Sequence, residues 1–382
     1  NATEVVTVTA KKFLIATGAG PIIPERLNSE AEQIGLPLQT YRTFLRPEHK
    51  GITPSLQNVN VVIAGGGATA CELAQVISRL GGAESVTIVA PSLLPSEDVS
   101  ARYAVCQILE ADGVNIVRNR VLGCCTGDSD DDNNVSKFVV MENGAKLPCD
   151  ALLVAVGRAP GNTLNQLNLD KAGVAWSYRH GVDVNSHLRS KTQQHVFACG
   201  DCASAVGGAD RRSSHAGWTG FNAIRNMYVP TLLRSRATHP YVPRVTFTDP
   251  EVASVGLSHS ECVDKYGKGG FQFYRVSEQG TDRGDIDSIQ REPIGFTELR
   301  ARNNKVLGAT ICSPAAAEAI NEVALALNAG LTCDDMARTL HCYPSYGYPL
   351  QRIAIAISLS SIWGMLSSCG KVGRLLGVGG RK

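Results

Sequence analysis

The hydrophobic pattern in the first half of the chain alternates between short apolar runs and helical spacing. Asn60–Ala64 is an apolar run that predicts a buried strand, and Ala70–Leu80 has the spacing of a helix. Ser85–Ala90 predicts the next strand. A strand, a helix and a second strand in this order predict a right-handed βαβ unit, the building block of an α/β fold.

The same kind of pattern predicts further elements on both sides of this unit. We expect a linker between Gly20 and Asn58, an acidic solvated loop at Asp128–Asp132 and a loop-rich stretch over Gly161–Ser190. The remaining predicted elements are strands at Glu4–Ala10, Lys12–Gly18, Ala151–Val156 and His195–Asp201, a β-meander over Asn115–Cys125 and Lys137–Met141, and helices at Ser100–Asp112 and Ser213–Asn226.

The pattern changes after a second predicted linker at Arg234–Pro243. Several strands and one helix then follow, which is typical of an α+β domain. They are strands at Arg244–Thr248, Phe271–Arg275, Gly295–Arg300 and Val306–Cys312, and a helix at Ala315–Ala329.

The tail from Ile353 to Gly370 has no charged residue over 18 positions, which just meets the length of a membrane helix. Its five serines and two glycines argue against a membrane span, and Ile353, Ile355 and Ile357 alternate as in a strand. We favour a helix packed in the last domain. Contact of the basic end with an anionic membrane surface is the alternative.

Composition narrows the possible classes of protein. The chain has 382 residues, 43% of them hydrophobic, which allows two or three domains with large cores. A formal net charge of +2 argues against a general nucleic-acid-binding protein. Twelve irregularly spaced cysteines favour a reducing intracellular compartment over a disulfide framework. The chain opens at Asn1 directly on strand-like sequence, so we expect it to be a fragment.

A glycine fingerprint lies between the first strand and helix of the βαβ unit. Gly65-x-Gly67-x-x-Ala70 matches the dinucleotide-binding pattern. Its first glycine allows a tight turn, the second lets the backbone approach a pyrophosphate, and the small third residue allows close helix–strand packing. A plain tight turn is the alternative. The next strand ends in Val89-Ala90-Pro91, with neither an acid for a ribose hydroxyl nor an arginine. The missing acid and Ala70 in place of the third glycine favour NADP over NAD.

Two further patterns have ordinary explanations. Asp201 follows a predicted strand, where an aspartate often caps a helix. Cys199-Gly-Asp-Cys202 has the spacing of a redox pair or of half a metal site. No second pair with zinc spacing accompanies it, so we predict no metal site.

Six motifs together resemble one family, the FAD-dependent pyridine nucleotide–disulfide oxidoreductases. They occur in the same order as in that family. The family includes dihydrolipoamide dehydrogenase, and the Tyr-Pro pair near the end of this chain resembles its mercuric reductase-like branch. The motifs are Ala16-Thr-Gly18, Gly65–Glu72, Val156-Gly-Arg158 with Pro160, Ala198-Cys-Gly-Asp201, Thr246–Glu251 with Val255-Gly256, and His341-Cys-Tyr-Pro344.

The resemblance implies Rossmann-like FAD- and NAD(P)-binding domains, a two-dinucleotide-binding fold, and an α+β dimerisation domain of a homodimer. The implied division is residues 1–24 for the end of a first FAD segment, 25–58 for a linker, 59–155 for the NAD(P) domain, 156–235 for the returning FAD segment, 240–350 for the interface domain and 351–382 for the tail.

The resemblance also implies roles for individual residues. It places Glu72 near the nicotinamide and Asp201 in contact with the flavin's ribitol. It also implies that Cys199 and Cys202 are not redox cysteines, because the family has none at these two positions. The backbone positions that it places in the cofactor sites are Thr17, Gly18, Gly157 and Gly200.

The loop with the last motif departs from the disulfide reductases. They carry a catalytic His before this proline and a nearby Glu, where this chain has Tyr343 and Tyr348. A tyrosine titrates near pH 10, so it is a poor base at neutral pH but can donate a hydrogen bond. His341 lies two residues away and would share a face on an extended loop. We name Tyr343 and His341 as candidate catalytic residues; loop packing is the alternative for His341.

The family's first βαβ unit carries its own glycine fingerprint and a Cys-x4-Cys pair, and neither occurs in these 382 residues. The resemblance implies hydride transfer from NADPH or NADH through FAD to a small-molecule or disulfide substrate. The alternatives are a quinone or metal-ion reductase without dithiol chemistry, or a nucleotide-binding dimeric remnant without activity. A mercuric reductase is expected to end in paired cysteines, whereas only Cys369 stands near this end.

Overall fold

The computed structural model describes residues 6–46, 56–127, 136–204, 211–237, 239–288 and 294–368. The strands are β1 (Phe13–Ile15), β2 (Gly20–Pro21), β3 (Leu38–Gln39), β4 (Asn60–Ala64), β5 (Ser85–Val89), β6 (Asn115–Val117), β7 (Val121–Gly127), β8 (Ser136–Met141), β9 (Lys146–Pro148), β10 (Ala151–Val154), β11 (Arg158–Ala159), β12 (Trp176–Ser177), β13 (Gly181–Val182), β14 (Val196–Ala198), β15 (Arg244–Thr246), β16 (Glu251–Gly256), β17 (Gln272–Ser277), β18 (Phe296–Arg302) and β19 (Lys305–Ser313). The helices are α1 (Glu25–Gln33), α2 (Tyr41–Phe44), α3 (Ala68–Leu80), α4 (Val99–Ala111), α5 (Gly161–Leu164), α6 (Ser213–Tyr228), α7 (His259–Tyr266), α8 (Asp282–Ser288), α9 (Ala316–Ala329), α10 (Cys333–Arg338) and α11 (Tyr348–Ser368).

The chain divides into two compact units. The smaller unit contains Asn1–Ser29, Leu38–Gly51 and Val154–Pro240. The larger unit contains Glu30–Pro37, Ile52–Leu153 and Tyr241–Lys382. Each unit is therefore assembled from segments that are far apart in the sequence.

The predicted βαβ unit is confirmed in the larger unit. Strand β4 pairs in parallel with β5, with Asn60 opposite Ser85 and Ala64 opposite Val89, and β5 pairs in parallel with β6. Strand β10 lies on the other side of β4. Val61, Val62 and Ile63 are at most 1% exposed, because helices of the crossover connections cover parallel strands.

The predicted meander differs in its first strand. Asn115–Cys125 divides into β6, which joins the parallel sheet, and β7, which pairs antiparallel with β8. Strand β9 completes this second, three-stranded sheet. The acidic loop predicted at Asp128–Asp132 lies outside the described residues.

The predicted α+β region is a five-stranded antiparallel sheet with the order β15-β16-β19-β18-β17. Strand β16, which pairs with both β15 and β19, was missing from the prediction. Leu299 and Ile311 of the sheet pack in one core with Ile320 of α9 and Ile353 of α11.

The described part of the tail, through Ser368, forms the helix that we favoured rather than a strand. In α11, Ile353 and Ile357 are at most 1% exposed, whereas Ile355 is 39% exposed. Residues four apart therefore share the buried face, as helical geometry requires. Among the described residues, no helix is long and apolar enough to cross a membrane.

The smaller unit corrects two predictions. Strand β1 pairs in parallel with β14, but residues 6–10 of the strand predicted at Glu4–Ala10 belong to no strand, and its first two residues lie outside the described ranges. The segment predicted as a linker between Gly20 and Asn58 contains regular structure, including α1 and β2, and β2 pairs with β11. Short elements with few apolar residues do not produce a periodic signal.

Candidate functional site

The glycine fingerprint forms the turn between β4 and α3. Gly65 has φ 125°, a conformation that side chains rarely adopt, and its N–H donates to the Val89 carbonyl at 3.0 Å. Gly67 precedes the first residue of α3 and is exposed. A Cβ at Gly67 would meet no atom of the chain within 4 Å. The turn thus leaves free backbone N–H groups and open space at the positive end of a helix, where a phosphate binds.

Gly66, which the fingerprint leaves unspecified, is sterically constrained. A Cβ at this residue would lie 2.2 Å from the Ser92 carbonyl oxygen and 2.8 Å from the Ala90 Cβ. The Leu94 N–H donates to the Gly66 carbonyl at 2.7 Å. The loop after β5 is therefore folded onto the glycine turn, and the run of three adjacent glycines was the available signal for this contact.

Ala70 and Glu72 occupy different surroundings on α3. Ala70 is fully buried, as expected for the small third residue of the fingerprint. Glu72 is half-buried, and its Oε1 accepts a hydrogen bond from the Phe247 N–H at 2.9 Å. The carboxylate that the family resemblance places near the nicotinamide is thus oriented by the backbone of the loop after β15.

The contact of Glu72 continues along the same face of α3. Gln75 accepts from the Asp249 N–H at 2.8 Å and donates to the Asp249 carbonyl at 3.0 Å. Arg79 forms ion pairs with Asp249 at 2.7 Å and with Asp112 at 2.8 Å. Three polar side chains spaced three and four residues apart therefore fix the loop after β15 against α3.

Asp201 is the main charged group of the candidate flavin segment in the smaller unit. It is 6% exposed, and its Oδ2 pairs with Arg158 at 2.7 Å. Its Oδ1 is buried and has no hydrogen-bond partner within the part of the chain that the structure describes. Asp201 lies in a 3₁₀ turn and does not cap α6, whose N-cap residue is Arg212. A buried, unpartnered carboxylate oxygen fits a bound group that donates a hydrogen bond, such as a ribitol hydroxyl.

Three glycines and a threonine lie in the same unit as Asp201. Gly18 has φ 69°, and a Cβ there would meet no atom within 4 Å. Its carbonyl accepts from Thr163 Oγ1 at 2.9 Å, and Thr17 is exposed beside it. Gly200 and Gly157 also have positive φ, 64° and 134°. The open backbone at Gly18 is compatible with FAD, whereas a Cβ at Gly200 would lie 3.2 Å from the Ala216 Cβ.

The Cys-x-x-Cys pair consists of two buried free thiols. Cys199 is 6% exposed and Cys202 is fully buried. Cys202 Sγ donates to the Cys199 carbonyl at 3.1 Å. Burial raises the pKa of Cys199 to about 11 and also raises the pKa of Cys202. Among the described residues, no group of three or more His, Cys, Asp or Glu side chains is arranged to hold a metal ion.

We therefore expect Cys199 and Cys202 to resist alkylation in the folded protein at pH 8, because the thiolate is the reactive form and a raised pKa keeps the thiol protonated. Cys342 is exposed and serves as the internal control. Iodoacetamide labelling followed by peptide mass spectrometry measures all three sites. The rate at Cys199 should rise only as the pH approaches about 11. Labelling of Cys199 and Cys202 as fast as Cys342 at pH 8 would contradict this assignment.

The loop before α11 brings together several side chains of the larger unit. Tyr343 is exposed, its hydroxyl donates to Asp282 Oδ2, and its ring lies 5.1 Å from that of Tyr348. The hydrogen bond to Asp282 raises the pKa of Tyr343. The hydroxyl is thus a neutral donor at physiological pH.

His341 has both ring nitrogens occupied. Nε2 lies 2.8 Å from Glu322 Oε2, and Nδ1 lies 3.0 Å from the Thr339 carbonyl. Its side chain is only 8% exposed. Glu322 on α9 was missed by the sequence analysis, since a glutamate among alanines in a helix gives no signal of a distant histidine. The geometry gives His341 the hydrogen bonds of a packed loop residue.

Sequence comparison identifies the family of the chain. A family model described as pyridine nucleotide-disulphide oxidoreductase matches residues 1–224, and the dimerisation domain of the same family matches residues 242–352. The mercuric reductase of Lysinibacillus sphaericus is 29% identical over 366 residues, which are 95% of this chain and 61% of that protein. The dihydrolipoyl dehydrogenase of Bacillus subtilis is 26% identical over 304 residues, which are 78% of this chain and 61% of that protein.

Solved structures show the same fold. LpdA from Mycobacterium tuberculosis matches with a TM-score of 0.73 and 23% identity, over 90% of this chain and 69% of that one. The copper(II) complex of the HOCl-induced flavoprotein disulfide reductase RclA from Escherichia coli matches with a TM-score of 0.73 and 22% identity, over 89% of this chain and 73% of that one. The chain spans about three fifths of the length of the two relatives named above. It belongs to the pyridine nucleotide–disulfide oxidoreductase family, whose members are FAD-dependent oxidoreductases that use NAD(P)H.

Proposed function

We propose that this protein is an NAD(P)H-dependent flavoprotein oxidoreductase that transfers a hydride from the nicotinamide to FAD and electrons onward to an acceptor. The observation that carries the proposal is the open turn at Gly67. The turn combines a positive-φ Gly65, free space over Gly67 and a fully buried Ala70 at the start of α3. A plain structural turn does not need that open space, whereas a pyrophosphate does.

In this proposal the residues of the chain bind the two cofactors and orient them. The N–H groups at the start of α3 hold the nicotinamide dinucleotide's pyrophosphate. Asp201 Oδ1 accepts from a ribitol hydroxyl, while Arg158 holds the other carboxylate oxygen at 2.7 Å and fixes its direction. When bound, FAD supplies the two-electron acceptor for the hydride.

The side chains of the loop at Tyr343 favour an electron acceptor whose reduction needs no general base. Deprotonating a dithiol at neutral pH requires a base with a pKa near neutrality. The Tyr343 hydroxyl donates a hydrogen bond to Asp282, and this bond raises the pKa of Tyr343. His341 has both nitrogens engaged by Glu322 and Thr339. A metal ion or a quinone, which accepts electrons without such a base, therefore fits better than a disulfide, and the similarity to mercuric reductases agrees with this preference.

The partner in this proposal is a second copy of the chain. The dimerisation-domain match covers residues 242–352, which include the five-stranded sheet and most of its helices. That the protein is located in a reducing intracellular compartment stays a prediction.

The proposal predicts that Gly67→Ala slows flavin reduction without unfolding the protein. The added methyl meets no atom of the chain, and φ −77° suits alanine, so the loss falls on the nucleotide. After reconstitution with FAD, anaerobic addition of NADPH or NADH should bleach the visible flavin absorbance of the wild type. For Gly67→Ala we expect the nucleotide affinity to be at least about tenfold weaker, because the methyl group costs the complex one charge-assisted hydrogen bond or more.

Gly66→Ala is the contrasting variant. Its methyl would lie 2.2 Å from the Ser92 oxygen, so it should distort the turn and lower thermal stability, which Gly67→Ala should not do. A wild-type protein that binds nucleotide but retains no flavin would favour the alternative of a nucleotide-binding protein without activity. Wild-type affinity in Gly67→Ala would show that the turn is not the nucleotide site.

A further inference from the structure

Helix α6 of the smaller unit has an apolar face that the described part of the chain leaves exposed. Phe221, Ile224 and Tyr228 are each more than half exposed, and their spacing of three and four residues places them on one side of the helix. Just after the helix, Leu232 is 97% exposed and Leu233 is exposed as well. Together these five side chains form the apolar stripe.

The segment that carries the two leucines is held against the end of α6. Asn226 donates to the Ser235 carbonyl at 2.8 Å and accepts from the Ser235 N–H at 2.9 Å. Arg225 donates to the Ser235 hydroxyl. The leucines are therefore fixed beside the exposed end of the helix and extend its apolar face.

The polarity of α6 is inverted relative to an ordinary surface helix. Its buried face includes the polar residues Thr219, Asn222 and Asn226, each at most 5% exposed, whereas Phe221 and Tyr228 lie on the exposed face. A surface helix normally turns its apolar side toward the core and its polar side toward water. A contiguous exposed apolar surface of this kind marks a site of interaction with another molecule or with a membrane.

The unit that carries the apolar stripe is strongly basic. It contains sixteen lysines and arginines against seven aspartates and glutamates, while the larger unit contains twenty-one against twenty-eight. Residues 211–240 include five arginines and no acidic residue. Arg225 lies on α6, the Lys12 ammonium donates to the Met227 carbonyl near the end of the helix, and Arg236 is exposed after the leucines. Cations therefore border the apolar stripe.

Charge discriminates between the partners that an apolar face could have. Two copies of a face bordered by cations repel each other, which argues against a second copy of the chain as the occupant. An anionic lipid surface complements both features of the stripe. Lysines and arginines are attracted to its head groups, while phenylalanine, tyrosine and leucine side chains enter the boundary between head groups and acyl chains.

We propose that α6 and the segment after it dock the protein on an anionic membrane surface. The apolar stripe enters the interface, and Arg225 and Arg236 contact the lipid head groups. Such docking lies in the plane of the interface and needs no helix that crosses the membrane. The proposal stands on the smaller unit alone and does not depend on the Gly67 turn.

Co-sedimentation of the 382-residue chain with lipid vesicles tests the proposal. We expect the chain to bind vesicles of phosphatidylglycerol and phosphatidylcholine in equal parts at least about tenfold more tightly than vesicles of phosphatidylcholine alone. Added salt should weaken the binding, because it screens the attraction between the arginines and the head groups.

Two variants separate the apolar from the electrostatic contribution. Leu232→Ala/Leu233→Ala should bind the anionic vesicles at least about tenfold more weakly, because it removes apolar surface that the membrane buries. Arg236→Ala should bind about fivefold more weakly, the usual contribution of one cation close to an anionic surface. Both variants replace exposed side chains, so their circular dichroism and melting temperature should match those of the wild type.

Leu167→Ala and Lys171→Ala are the matched controls, an exposed leucine and an exposed lysine of the same unit outside α6 and its following segment. Both should bind vesicles as the wild type does. Absence of vesicle binding by the wild type, unchanged binding by the double leucine variant, or binding that ignores lipid charge and salt would overturn the proposal. An oligomer that sedimentation velocity detects for the wild type and not for the double leucine variant, without vesicle binding, would show that a second copy covers the stripe instead.

Discussion

Replacing Asp98 with alanine is expected to lower the free energy of unfolding of the larger unit by about 3–5 kcal/mol, the usual cost of breaking a buried ion pair. Arg300 is 1% exposed and is among the largest fully buried side chains of the described chain. Its Nη1 lies 2.8 Å from Asp98 Oδ2. The His259 N–H also donates a bifurcated hydrogen bond to both Asp98 oxygens, at 2.8 Å from Oδ1 and 3.0 Å from Oδ2.

The size of this effect comes from the groups left behind. Without Asp98, the Arg300 guanidinium keeps Glu298 at 3.9 Å and the Thr310 hydroxyl at 3.0 Å. Burial lowers the pKa of Arg300, so the surroundings already disfavour its charge and Asp98 opposes that effect. The variant therefore buries a charge with little compensation and leaves the His259 N–H unpartnered.

Urea unfolding followed by circular dichroism measures this prediction. Asp264→Ala, on an exposed position of α7 in the same unit, is the control and should change stability by no more than about 0.5 kcal/mol. The double variant Asp98→Ala/Arg300→Met should be less destabilised than the sum of the single variants, because it removes both charges. A loss below about 1 kcal/mol for Asp98→Ala would mean that the pair behaves as a surface ion pair.

Replacing Asp201 with alanine is expected to weaken FAD binding by about tenfold to hundredfold, the loss of a charge-assisted hydrogen bond. Its Oδ1 is buried and available, and its Oδ2 is held by Arg158 at 2.7 Å. Alanine removes the acceptor and also the charged partner of the half-exposed Arg158 side chain, which keeps, among the described residues, only the Ala19 and Arg211 carbonyls as acceptors, at 3.3 and 3.5 Å. Both changes reduce the preorganisation of the site.

Flavin fluorescence on titration with FAD measures this affinity. Asp183→Ala is the matched control, an aspartate of the same unit whose exposed pair with Lys191 has no role in the proposal. Asp201→Asn keeps the shape and a neutral acceptor, so its affinity should lie between those of the wild type and the alanine variant. Equal affinities of Asp201→Ala and the wild type would exclude the carboxylate from the flavin site.

The βαβ unit could be predicted from its residues because its signals are local. The apolar run at Asn60–Ala64 and the glycines after it specify a buried strand and a turn, and the boundaries of β4 agree with the prediction. Strand β16 and the elements between Gly20 and Asn58 were missed, because their mixed apolar and polar residues show no hydrophobic period. In α11, a short alternation of isoleucines is compatible with both a strand and a helix, and packing against the β-sheet decided between them.

The sequence by itself determined the family and the glycine turn between β4 and α3, because both depend on short motifs with their own conformational requirements. It also named Thr17, Gly18, Gly65, Gly67 and Asp201 as candidate site residues. Only the tertiary structure decided which groups meet across long separations. Asp98 meets Arg300, Glu72 meets the Phe247 N–H, His341 meets Glu322, and Ser92 lies against Gly66. A side chain that pairs with a residue up to 202 positions away leaves no spacing pattern, since the fold and not the chain brings the two groups together.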